Sequence, residues 1–126
     1  MGVDYGSLSP DGRWQVAEAL LTSWSGVLAE VCELVRAVDE AGDWRLDGVG
    51  SLQDWLAQAG TLSAATARDV VRTAQRLGEL PALSAALSDG RLSWDQVRPA
   101  SRLADPETDE HLAEELVGVS PASIDL

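Results

Sequence analysis

Between Ser9 and Gly42 the apolar residues Ala17, Leu20, Trp24, Val27, Val31, Leu34 and Val38 recur in alternating steps of three and four. That spacing is the seam of an amphipathic, coiled-coil-like helix. Ser9 supplies an N-cap and Pro10 sits at the first helical position, where its missing N–H costs nothing. Gly42 closes the helix as a C-terminal cap. Ser23, Ser25 and Gly26 are poor helix formers, so the pattern predicts a break or kink near Gly26.

The stretch GDWRLDGVG from Gly42 to Gly50 reads as an ordered loop, with Trp44 as its anchor into the core. Ser51, with Asp54 three residues on, resembles a capping box ahead of a short helix whose apolar face is Leu52, Trp55, Leu56 and Ala59 and whose end is Gly60. Ser63 caps the next helix, in which Val70, Val71, Ala74 and Leu77 form a core face. Arg68, Arg72 and Arg76 recur on the other side as a solvent-facing basic stripe. Pro81 opens a helix to Ser88, Asp89-Gly90 is a turn, and Ser93 caps a further helix in which Pro99 predicts a kink or a delayed start. Asp105-Pro106 is another helix start, leading through Leu112, Leu116 and Val117 to Gly118. Ser120-Pro121 then reads as the first turn of one more helix, and a chain that stops there is expected to be a fragment of a longer gene product. The fold predicted over residues 1–126 is one all-α domain. It is a compact bundle of about six or seven helices, with a long first helix and a helix-turn-helix-like pair in the middle.

Composition narrows the function classes. The chain is 45% hydrophobic and 24% charged, which is ordinary for a folded domain. Cys32 is the only cysteine, so an internal disulfide framework and a thiolate zinc cluster are both excluded. With no export signal at the start and no apolar run long enough for a bilayer, the expected location is cytoplasmic, away from membranes. The formal charge of -12 opposes a simple basic nucleic-acid binder. It is unevenly spread: residues 1–50 carry -6 and residues 79–126 carry -7, while residues 51–78 carry +1. Only the middle of the chain is fit to approach an anion.

No constellation for catalysis or metal binding assembles. His111 is the only histidine, far in sequence from Cys32, and Cys32 lies beside an apolar seam where a packed thiol is expected. Asp105, Glu107, Asp109, Glu110, Glu114 and Glu115 read as a solvated helix face favoured by the macrodipole rather than an acid/base pair. Trp24 and Trp55 fall on predicted core faces, whereas Trp14, Trp44 and Trp94 could each stand half-exposed at a partner surface. No cofactor is implied. The helix from Leu52, the turn Gly60-Thr61-Leu62 and the helix from Ser63 have helix-turn-helix dimensions. The candidate nucleic-acid contacts are therefore Arg68, Arg72 and Arg76, with Arg98 and Arg102 as auxiliaries if the helices pack suitably.

The motifs GDWRLDG and SLQDWLAQAGTLSAATARDVVRTAQRLGELPALSAALSDGRLSWDQV, followed by a helix opening near DPE and a final VSPASI, resemble the actinobacterial domain of unknown function 222, also known through the 13E12-repeat proteins. The likeness covers roughly residues 27–124, most specifically Gly42 to Val97. Such domains commonly precede an HNH endonuclease module in proteins linked with mobile elements. That module needs paired histidines and an asparagine, and this chain has one histidine and no asparagine, so nuclease activity does not carry over. The resemblance implies a helical, non-catalytic targeting module that places a tethered or separate nuclease on DNA. Two features depart from it: Asp69 stands among the arginines, and Pro99 stands where alanine is more typical. The competing expectation is a protein-interaction module, in which the first-helix seam from Ala17 to Val38 forms a homodimer or the acidic helix from Asp105 to Glu115 docks a basic partner; a third is an acidic regulator that masks a nucleic-acid-binding partner.

Overall fold

The computed structural model describes residue 2 and residues 4–46 and 48–121. Among them lie six α-helices: α1 (Pro10–Ala41), α2 (Leu52–Gly60), α3 (Ala64–Leu77), α4 (Pro81–Asp89), α5 (Trp94–Leu103) and α6 (Asp109–Leu116). Single 3-10 turns at Tyr5–Ser7 and Asp43–Arg45 flank α1. The helix predicted to open at Ser120-Pro121 lies, beyond Pro121, outside the described residues.

Local sequence explains most boundaries. Ser9 accepts from the Gly12 amide, Ser51 from Asp54, Ser63 from Thr66 and Ser93 from Gln96, so each of α1, α2, α3 and α5 starts on a serine cap. At Ser93 the Gln96 side chain returns the bond to the cap amide, completing a capping box. α5 starts at this cap without delay and continues through Pro99, which is buried in its second turn.

The predicted break near Gly26 is absent, and α1 runs unbroken. Gly26 is there for proximity: a Cβ on it would sit 3.3 Å from the Ser88 carbonyl at the end of α4. The following turn is equally tight, since a Cβ on Gly90, already at φ 75°, would lie 2.2 Å from Thr22 Cγ2. α6 begins later than predicted, because Asp105 turns the chain first by accepting the Glu107 and Thr108 amides.

The core is built from Cys32 and Val35 of α1, Ala67, Val71 and Ala74 of α3, and Leu83 and Leu87 of α4, closed by α5 and α6. α1 packs against α3 and α4, α2 on α3, α5 on α3, and α6 on α4. Trp44 anchors the 42–50 loop against this core, as predicted.

The first helix departs most from its reading. Its buried residues are Ser25, Ala29, Cys32, Val35 and Val38, a face about a third of a turn from the seam. Of the seam only Val38 is buried; Ala17, Leu20, Trp24, Val27 and Leu34 are exposed. Trp24, predicted to be core, is 56% exposed. α1 thus has two apolar faces, and periodicity identified the one that the domain covers only toward its C-terminal end, at Val31 and Val38.

Candidate interaction surfaces

The arginine stripe splits on folding. Arg68 and Arg72 are exposed on α3 and line a shallow polar groove with Ser51, Gln53, Asp54 and Gln75. Neither forms an ion pair among the described residues. Arg76 turns inward instead: its Nε donates to the Ser101 carbonyl at 2.8 Å and its Nη2 to the Ala104 carbonyl. It closes the C-terminal end of α5, where unpaired carbonyls attract a cation. Arg102 pairs with Asp69 at 3.7 Å across α5 and α3, and Arg98 is half-buried. Two of the five predicted contacts therefore stand free in solvent, while Asp69 answers the cation that packing brings alongside.

Arg76 belongs to a set of helix-end contacts made from neighbouring helices. Arg36 of α1 donates to the Ala74 carbonyl in the last turn of α3 at 2.9 Å. Gln96 of α5 donates to the carbonyls of Leu116 and Val119 at the end of α6. Asp109 of α6 accepts the Ala82 amide at 2.6 Å and the Leu83 amide at 2.9 Å, at the start of α4. Asp109 was expected on a solvated acidic face, yet it is buried. The sequence held a signal for it: α4 starts at Leu80-Pro81, which offers no capping side chain, so a partner had to come from elsewhere.

The remaining chemistry-bearing groups are inert or local. Burial pushes the Cys32 thiol up to about 11, with the nearby Arg36 charge opposing the shift and Glu33 adding to it. Hydrogen bonds from Thr108 and then Glu107 hold the Asp105 carboxyl below its ordinary range. His111 is exposed and sits 2.9 Å from Glu115 one turn on. No group of His, Cys, Asp and Glu among the described residues could hold a metal ion. No helix among them is long and apolar enough to cross a membrane.

The second surface is apolar. No residue of α1 before Ser25 is buried, and the body meets the helix from about Leu21 and Thr22 onward, so the turns before them project past it. The exposed apolar residues of this half of α1 are Trp14 at 69% exposure and Leu20, Leu21, Trp24 and Val27, each between 56% and 58%. Isolated exposed apolar residues are ordinary, but a contiguous run on one helix marks a contact surface.

A serine-capped helical bundle with an apolar projecting helix and no metal cluster among its described residues defines a class of small all-α domain. The chain belongs to the family described as Domain of unknown function (DUF222), whose profile matches residues 16–117. No match was found among curated proteins or solved structures. The matched region takes in Ala17 to Val27, so the projecting seam lies within the family's own extent.

Proposed function

We infer that this domain is a non-catalytic docking module, with the exposed seam of α1 as its contact face. The observation that carries the reading is the pairing of two apolar faces on one helix, one of which the domain covers only toward its C-terminal end. A large apolar surface left in water serves association rather than folding. If so, replacing Leu20 and Trp24 by serine leaves the isolated domain's thermal midpoint within a few degrees of the parent at low chain concentration. A steep loss of stability in that double variant would make the seam structural and end the reading.

A second reading is supported by the exposure of Arg68 and Arg72 beside a helix-turn-helix-like pair. In this reading the two guanidiniums contact phosphates and so position an HNH nuclease, tethered or separate, on DNA. In that reading Arg76 supports the fold, while the ion pair of Arg102 and the half-burial of Arg98 reduce them to minor contributors. Fluorescence anisotropy with labelled duplex and single-stranded DNA tests it. Binding that weakens in Arg68→Ala/Arg72→Ala and with added salt supports it, and no binding at low salt removes it. A lone buried thiol fits a reducing, cytoplasmic setting for either role.

A further inference from the structure

We propose that the occupant of the α1 seam is a second copy of this chain, paired antiparallel through the segment from Ala17 to Val27. The proposal rests on the docking reading and names its partner.

The seam is compatible with itself in this direction. Antiparallel helices pack in layers that join the two kinds of seam position, so a two-fold axis near Thr22 sets Leu20 against the second copy's Trp24 and Ala17 against its Val27. Small residues meet medium ones in the outer layers, and a leucine meets an indole in the inner ones. Trp14 and Leu21 project from the body-facing side of α1, Leu21 beside Ser93 and Trp94 at the start of α5, and stay outside this contact. Leu20, Trp24 and Val27 leave on the order of 350 Å² exposed, below the ~800 Å² per partner of a standard stable interface, so the pair is a weak one that forms with rising chain concentration.

Charge selects both the face and the direction. Self-association of a chain with net charge -12 is opposed by repulsion, yet none of the acids of α1 falls within the seam. Helical geometry sends Asp11, Glu18, Glu33 and Glu40 to the opposite side. Residues 1–24 carry three acids and one arginine, net -2, which leaves -10 on residues 25–126. A parallel pair would set the two acidic bodies side by side. The antiparallel pair overlaps the nearly neutral projecting segments and holds the bodies at opposite ends.

Sedimentation velocity over a range of chain concentrations is the first measurement. The expected result is a monomer–dimer equilibrium weakened at least tenfold in Leu20→Ser/Trp24→Ser. It should be unchanged in Leu46→Ser, which removes an exposed leucine away from the seam. Direction is read by mild oxidation of Ala17→Cys and Val27→Cys chains, with Cys32 left buried. The antiparallel pair gives a disulfide only when the two variants are mixed. Disulfides formed by either variant alone would overturn the antiparallel arrangement. A monomer at every concentration, with Trp14 and Trp24 freely quenched by acrylamide, would overturn self-pairing but leave the docking reading standing. A monomer with both indoles shielded would overturn both, since the chain would then cover its own seam.

Discussion

Thr61 is the one non-glycine residue with positive φ, at 52°, among the described residues, and it holds that conformation as the C-cap of α2. The sequence points to Gly60 as the stop, but the helix keeps Gly60 and passes the left-handed position to the next residue. A β-branched side chain is strained there, whereas glycine is not. Thr61→Gly is therefore expected to stabilise the domain by about 1 kcal/mol, the relieved strain outweighing the greater freedom of the unfolded chain. Urea denaturation at unchanged slope checks the sign. Cys32 offers a second test at this scale. Its thiol is buried and its pKa is raised to about 11, so thiolate is scarce at neutral pH and access is blocked. Labelling by a disulfide reagent in native buffer should run orders of magnitude slower than in denaturant. Native labelling as fast as that of a free peptide would place Cys32 outside the core. The sign for stability follows: a folded pKa above the unfolded value of 9.0 favours the fold below that value and loses this contribution as pH rises toward 11.

At the scale of elements, the helix ends decide which charged residues hold the fold and which are free to act. Asp109→Ala leaves two amides at the start of α4 without their acceptor in a buried site, a loss of about 2–4 kcal/mol. Arg76→Ala uncaps the end of α5 and should cost about 1–3 kcal/mol. Arg68→Ala, two turns before it on the same helix, should stay within about 0.5 kcal/mol. Denaturant midpoints of the three variants check the ranking, and a costly Arg68→Ala would mean that the free cation has a structural partner. Sequence reading separated the elements well but not these roles. Serine caps and the core face Val70, Val71, Ala74 and Leu77 were legible because they depend on neighbours within a few positions. The inward turn of Arg76, the burial of Asp109 and the pairing of Arg102 with Asp69 depend on which helices meet. Four-residue spacing is the same for a stripe in water and for a stripe whose last member closes another helix. The seam of α1 was legible as apolar, yet periodicity carries no information on whether the covering surface lies inside or outside the chain.

For the whole molecule, the two proposed roles respond to salt with opposite sign. Docking of an apolar face between chains of charge -12 is opposed by long-range repulsion, which added salt screens, while the apolar contact itself is little affected. Association should therefore tighten severalfold between roughly 20 mM and 200 mM salt, where the screening length shortens from about 20 Å to below 10 Å. Phosphate contact by Arg68 and Arg72 releases counterions and should weaken over the same range, about tenfold to a hundredfold for two neutralised charges. Measuring self-association and DNA binding in one set of buffers separates the roles without any variant. Dimer formation that strengthened while DNA binding fell would allow both surfaces to work at once, since they lie on different helices. Self-association that fell with salt would instead mean that ion pairs, not the seam, hold the copies together. The acids of one body would then have to reach the free arginines of another, and Arg68 and Arg72 would be occupied by protein rather than by phosphate.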